Sequence, residues 1–474
     1  MTGAAFFDLD RTLLAGASGE LFSKAMTRAG LSSGPVPGEK FLFGLFNRIG
    51  ETLPAMAIAR QGVTVAKGRS SAAVRAAAET VVDELVELVQ PFAHTAFSTH
   101  RAAGRPIVLA TTTPYDLVKP LADALGFDDA VATRYSIDSN GNYDGTLEGP
   151  FVWSAGKLEA ISVWAQEHDV DLDDSWAYSD SFYDTPMLAA VGNPVVVNPD
   201  PRMVLMAAAR RWPTVNLDVS PGVVKIPVVG LEMQELAQRL VVPAMYPYAK
   251  FSFSGIDRIP THGPCILVAN HRSYFDIVAL SLAIAKCGRP ARFLGKKEVF
   301  DAPVVGQIAA AMGGIRVDRA TGSDEPLTAA AEALEGGEMV ALMPQGTIPR
   351  GPAFFEPTLT ARWGAARLAQ MTGAPVVPVG LWGTERVWPR SARLPNVLNL
   401  TDPPRVSVSV GAAIHTAGNS LDADTTQIME AVMRQLPAEA RMRRQPTDAE
   451  LLATFPPGYT GDPHAEVGRR PGED

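Results

Sequence analysis

Ala4-Ala5-Phe6-Phe7-Asp8-Leu9-Asp10-Arg11-Thr12 opens the chain with an apolar run that stops at two carboxylates. Ala4 to Phe7 reads as a short buried strand, and carboxylates at the end of a parallel strand lie where α/β sheets bind ligands. Strand alternation puts Asp8 and Asp10 on the same side. One carboxylate of such a pair can attack phosphorus as a nucleophile while the other handles the leaving-group proton. A divalent cation between them offsets phosphate repulsion.

Working outward, further apolar runs predict strands at Pro106 to Ala110, Trp176 to Tyr178 and Val195 to Val197, alternating with helical patterns. That alternation predicts a doubly wound α/β domain with a largely parallel sheet. A helical insertion, about residues 19–90, follows the first strand and predicts a cap over the site. Three pieces of chemistry fall at strand ends or helix starts. Thr111 closes the second strand and can hydrogen-bond a phosphoryl oxygen. Lys157, in Ser154-Ala155-Gly156-Lys157, begins a helix and offers a compact cation. Asp180 and Asp184 follow Trp176 to Tyr178 and can complete an oxygen-ligand metal shell with Asp8 and Asp10.

The stretches FFDLDRTLLAG, LATTTPYDLVKP, GKLEAI and YSDSFYDTPMLAAVGNPVVVNPD together resemble the haloacid dehalogenase-like hydrolases, in their phosphoserine-phosphatase-like branch, over residues 3–205. The resemblance implies Asp8 as nucleophile, Asp10 as general acid/base, Thr111 and Lys157 as phosphoryl stabilisers, and Mg²⁺ held with Asp180, supported by Asp184. It also implies an acidic residue nine positions after the nucleophile to hold the substrate amine of phosphoserine. Ala17 stands there, and Glu20 is out of register, so phosphatase chemistry is better supported than phosphoserine as substrate.

Prolines 213, 221, 227, 243 and 247 interrupt the next apolar segments and predict a junction at 206–244. A second α/β pattern spans 245–445, with strands predicted at Cys265 to Ala269, Arg292 to Leu294, Met339 to Met343, Val376 to Val379 and Val406 to Val410. The polar text after Pro446 predicts a disordered tail through residue 474. After the first of these strands comes Asn270-His271-Arg272-Ser273-Tyr274-Phe275-Asp276. The five-residue spacing lets Asp276 orient His271 as a general base toward a hydroxyl. Downstream, Gly313-Gly314-Ile315-Arg316-Val317-Asp318-Arg319 presents arginines suited to a phosphate, and Pro344-Gln345-Gly346-Thr347 offers backbone N–H groups and a hydroxyl.

NHRSYFD, FLGKKEVFDAPVVGQ, GGIRVDR, PQGT and VVPVGLWG resemble, in this order, the glycerolipid acyltransferases that include lysophosphatidate acyltransferases, over residues 245–415. The resemblance implies His271 and Asp276 as the catalytic pair, with Arg316, Arg319, Gly346 and Thr347 binding phosphate and Lys296 contributing charge. The third motif departs from the usual Glu-Gly-Thr: Gln345 holds the glutamate position, and Ile348 stands where a polar residue often follows.

A net charge of -9 over 474 residues excludes a general nucleic-acid binder. Two cysteines, Cys265 and Cys287, support neither a disulfide framework nor a Cys-rich metal site. No secretory signal opens the chain and no run spans a bilayer, so a cytoplasmic protein, peripheral on the inner face of the membrane, is expected. Six basic against three acidic residues between Arg289 and Arg319 predict electrostatic docking, with apolar insertion from Val223 to Leu231 and Leu240 to Phe253. The expected partners are acyl-CoA or acyl-carrier protein, a lysophospholipid and the membrane surface. The expected function is a Mg²⁺-dependent phosphomonoester hydrolase joined to a 1-acylglycerol-3-phosphate acyltransferase. The alternatives are a different lysophospholipid acceptor, with the first domain dephosphorylating a lipid phosphate or serving only as a regulatory binding module.

Overall fold

In the first strand, β1 (Ala5–Phe7), successive side chains face opposite cores, and all are fully buried. Ala5 and Phe7 join the core containing Phe97 and Leu121, whereas Ala4 and Phe6 join the one containing Ile161 and Trp164. A strand covered on both faces needs an unbroken apolar run, which is what Ala4 to Phe7 supplies. The computed structural model describes residues 2–32, 51–226, 230–303, 305–317 and 325–464. The described chain divides into two compact units, the first running to Pro221 and the second beginning at Gly222.

The first unit carries β2 (Ile107–Pro114), β3 (Asp129–Ile137), β4 (Tyr143–Glu148), β5 (Trp176–Ser179), β6 (Asn193–Val197) and β7 (Thr214–Val215) beside β1. Their spatial order is β4-β3-β2-β1-β5-β6-β7, all neighbours parallel except β3 and β4. Strand order reverses at β1, so the crevice beyond its carboxyl end lies at the switch point, and Asp8 is the first residue past it. Helices Gly19–Arg28, Leu53–Ala66, Ser71–Glu79 and Val82–Val86 form the cap insertion. β3, β4 and β7 were not legible as apolar runs because polar residues interrupt each. Thr214–Val215 continues the sheet and Leu217 enters the core, so residues 206–221 are structured where a linker is expected.

The second unit holds β8 (Lys250–Ser254), β9 (Cys265–Ala269), β10 (Arg292–Lys296), β11 (Ile315–Val317), β12 (Met339–Leu342), β13 (Val376–Trp382) and β14 (Arg405–Val410). They lie in the order β11-β10-β12-β9-β13-β14-β8, parallel throughout except β13 against β14. β9 repeats the logic of β1: every residue is buried and alternate side chains enter two cores.

Three expectations need correction. The aromatic part of Leu240 to Phe253 is not free for insertion, because Tyr246, Tyr248, Phe251 and Phe253 pack on the core around Phe275. Part of the basic run is spent inside the fold, and Arg316 is spent on a half-exposed ion pair. Arg292 is 2% exposed and neutralised by Glu232 and Glu338 at 2.6 Å each, Arg289 donates to the carbonyls of Pro260, Gly263 and Gly337, and Arg316 pairs with Asp301 at 3.1 Å. Beyond Pro446, where composition predicts disorder, Asp448–Ala453 forms a helix with a Thr447/Glu450 capping box. Buried Leu451 and Phe455 anchor it, and Thr454 accepts a bond from the Gly351 amide.

Candidate active sites

Gly156 explains how a lysine comes to lie in the first core. A side chain at 156 would meet the Phe151 carbonyl at 2.2 Å, so only glycine lets the helix Ala155–Glu167 start this close to the loop before it. That start aims Lys157, 1% exposed, at the end of β1, where its Nζ donates to Asp8 at 2.8 Å and to Asp184 at 2.7 Å. Burial disfavours the ammonium, but Asp184 and Asp8 outweigh it and hold Lys157 well above the usual lysine range.

Burial pushes the Asp8 carboxyl up to about 6, against the lowering pull of Lys157 and with Asp184 adding repulsion. Asp10, also desolvated, is raised, although the Ser18 amide donates to it at 2.5 Å. Asp180 is raised well above the carboxylate range by burial, in spite of Arg11 at 3.1 Å. Arg11 reaches it from a left-handed backbone position, φ 63°. The Thr12 hydroxyl lies within 3.1 Å of Asp8 and 3.2 Å of Asp180 and accepts from the Asp180 amide, locking the two strand ends together.

A small pocket of about 20 Å³ lies among Asp8, Asp10, Arg11, Glu51, Thr111, Thr112 and Asp180. Three of the four residues expected to hold metal meet there. Asp184 does not line it. Its Oδ2 instead accepts from Lys157 and Ser179, and its buried Oδ1 has no hydrogen-bond partner. As the side chains stand, no three His, Cys, Asp or Glu groups among the described residues form a ready metal cage. The donor set still fits a hard dication: the carboxylates are all oxygen donors, they are desolvated, and the pocket has room for about one water or ion. Glu51 was not legible in the sequence. It sits far from every motif, yet it accepts from Ser181 at 2.7 Å and Trp153 at 3.0 Å, and burial with Asp184 nearby pushes its carboxyl to about 7.

The second site forms beyond β9. Asn270 clamps the backbone of Leu381 in both directions, at 2.7 and 2.9 Å, and so fixes the exit of the strand. His271 Nδ1 then lies 2.8 Å from Asp276 Oδ2. Asp276 is fully buried and also accepts from the amides of Arg272 at 2.5 Å and Ser273 at 2.8 Å and from the Thr384 hydroxyl at 2.5 Å. Such a carboxylate accepts the Nδ1 proton, which makes Nε2 the basic nitrogen of a ring 19% exposed. The Gln345 side chain steadies the same turn, since its Oε1 accepts the His271 amide at 2.6 Å, a bond that needs an oxygen and no charge.

Gly346, in the left-handed region at φ 72°, and Thr347 follow Gln345 in the same loop beyond β12. Lys296 ends β10 and Arg316 lies in β11, at the same end of the sheet. With β10 and β12 between β11 and β9, that edge is roughly 14 Å from His271. Arg319 lies outside the described residues. Thr384 and Asn270 hold the pair in place, and Thr384 was invisible to spacing because 108 residues separate it from Asp276.

Two α/β units thus carry an aspartate–lysine phosphoryl-type site and a histidine–aspartate base. Residues 5–189 match the haloacid dehalogenase-like hydrolase family and residues 250–382 the acyltransferase family. "Inhibition of morphological differentiation protein" of Streptomyces azureus is 34% identical over 219 residues, 45% of this chain and 78% of that protein. "Phosphoserine phosphatase SerB1" of Mycobacterium tuberculosis is 33% identical over 217 residues, 45% of this chain and 70% of that protein. A chloroplastic 1-acyl-sn-glycerol-3-phosphate acyltransferase of Brassica napus is 30% identical over 166 residues, 34% of this chain and 44% of that protein. The chain belongs to the haloacid dehalogenase-like hydrolases through its first unit and carries an acyltransferase domain in its second, so both units are of enzyme families.

Proposed function

We propose that the chain is a bifunctional enzyme, a Mg²⁺-dependent phosphomonoester hydrolase and a 1-acylglycerol-3-phosphate O-acyltransferase that makes phosphatidate. The observation that carries the first half is the Lys157 ammonium bonded to Asp8 at the switch point of the sheet. Asp8 attacks phosphorus and the ester P–O bond breaks. Asp10 gives its proton to the leaving oxygen, then takes one from the water that hydrolyses the aspartyl-phosphate. Lys157 and Thr111 offset the charge on the phosphoryl oxygens. Asp8, Asp10 and Asp180 would hold the Mg²⁺, which supplies charge neutralisation when bound. Asp184 positions Lys157.

In the second unit, Nε2 of His271 takes the proton from the acceptor hydroxyl, whose oxygen attacks the thioester carbonyl of acyl-CoA or acyl-carrier protein and displaces the thiolate. The Gly346–Thr347 loop, Arg316, Arg319 and Lys296 are assigned to the phosphate of the acceptor. Among the described residues no helix is long and apolar enough to cross a membrane. Leu236, Leu240, Val242 and Met245, 41 to 65% exposed, offer an apolar surface for peripheral contact. The test is an assay of the purified chain for Mg²⁺-dependent phosphate release from a phosphomonoester panel, and for phosphatidate from acyl-CoA and 1-acylglycerol 3-phosphate. Release unaffected by chelator, or acyl transfer to other lysophospholipids only, contradicts the corresponding half. Liposome flotation that persists in high salt supports apolar docking, whereas binding lost in salt restores the electrostatic account.

A further inference from the structure

Asp10, Glu51 and Thr112, which line the phosphoryl pocket, also line a larger cavity of about 530 Å³. Its walls are apolar over most of their extent, with Phe22, Met26, Met56, Val74, Leu117 and Phe151 among them. Among the described residues, the charged side chains on it are Asp10 and Glu51 at the phosphoryl end, and Arg69. Tyr143, also on the wall, spends its hydroxyl on Asp116 at 2.8 Å. Ala17 also lines the cavity and offers no charge. Ile58, 55% exposed on the helix Leu53–Ala66, stands at its rim.

A small polar metabolite could reach Glu51 or Arg69 with its charged groups, but it would set the rest of itself against apolar walls that return nothing for its desolvation. A hydrocarbon chain gains from the same walls in proportion to the area it buries. The volume lies within the roughly 300 to 1,000 Å³ usual for a pocket holding one small ligand. We infer that the phosphatase substrate is a phosphomonoester carrying one long hydrocarbon chain, its phosphate at Asp8 and its chain in this cavity. The inference rests on the phosphatase reading of the Asp8 site and narrows it. The phosphoryl group passes to Asp8 and then to water. The P–O bond to the chain-bearing oxygen breaks, and that oxygen leaves as a long-chain alcohol with the proton from Asp10.

Gly62 gives a handle on the cavity. It sits inside a helix, lines the cavity, and a Cβ there would meet the Tyr135 hydroxyl at 3.2 Å. A larger residue at 62 must therefore occupy chain space. The test is phosphate release by the full-length chain with Mg²⁺ from monoalkyl phosphates, ethyl to dodecyl, each below its critical micelle concentration. The expected result is a kcat/KM that climbs by about fourfold for each methylene that enters the cavity, then levels off. In Gly62→Leu, the ratio of kcat/KM for dodecyl to that for ethyl phosphate should fall at least tenfold. Release that is equal across the series overturns the chain-binding inference and leaves the phosphatase reading standing. Release from no member, ethyl included, sinks the phosphatase reading and the inference with it.

Discussion

The two sites solve the problem of a buried charge in opposite ways. Around β1, Lys157 faces Asp8 and Asp184 and Arg11 faces Asp180, with Asp10 and Glu51 crowded nearby, and burial leaves Asp8 and Glu51 raised to about 6 and 7. Around β9, one carboxylate, Asp276, is fully buried, yet it is saturated by two backbone amides, a hydroxyl and the imidazole. The first cluster carries more carboxylates than cations, the imbalance that a hard dication would offset. The second is complete in itself and needs only substrates. A phosphoryl site must tolerate an incoming anion, whereas a general base needs only a fixed tautomer.

The largest effect that sharpens this contrast is expected at the second site. His271→Ala should slow acyl transfer by about 10² to 10⁴-fold while phosphate release is unchanged, measured as initial rates on one preparation. Next, Lys157→Met should slow phosphate release by about 10² to 10³-fold, the range for removing one electrostatic stabiliser. It should also leave Asp8 and Asp184 facing each other, so thermal stability should fall at neutral pH more than at acidic pH. A Lys157→Met chain with full activity would break the comparison outright.

Proton linkage gives the third expectation. The folded-state pKa of Asp8, about 6, lies above its unfolded value of 3.8. Above pH 6 the buried carboxylate is therefore a cost to the fold, and the cost disappears as pH falls through this window. Without divalent ions, the unfolding midpoint of the Mg²⁺-responsive transition should rise on acidification from neutral pH toward 5. Mg²⁺ at a hundredfold excess over its Kd should contribute about 2.7 kcal/mol, and more of it at neutral pH than at 5. A Mg²⁺ response that grows on acidification would reverse the sign and contradict the account. The smallest effect concerns a supporting bond. Thr384→Val removes a hydroxyl donor from Asp276 and should slow acyl transfer by about tenfold, with the chain still folded by circular dichroism.

The sequence disclosed what lies next to strands and little of what reaches across them. Asp8, Asp10, Lys157, Asp180 and the His271–Asp276 pair were legible because each follows an apolar run or opens a helix, where short-range pattern and chemistry coincide. β1 and β9 were legible for the same reason. Glu51 and Thr384 were not, since their partners lie 130 and 108 residues away and no local rule links them. Asp184 could be placed near the site, but its allegiance to Lys157 depends on the Gly156 approach. The basic run from Arg289 to Arg319 misled because counting charges does not reveal that Arg292 is inside a fork of two glutamates. Tyr246 to Phe253 misled in the same way, as apolar text is equally suited to a core and to a bilayer.

The claim that joins these observations is that one chain carries two independent catalytic centres, the first built on Asp8. It is tested most directly by measuring Mg²⁺-dependent phosphate release and acyl transfer on the same preparations of the wild-type chain and Asp8→Asn. The account predicts that Asp8→Asn loses phosphate release and transfers acyl groups at the wild-type rate. Phosphate release that survives the substitution, or acyl transfer that is lost from a folded Asp8→Asn chain, would contradict it.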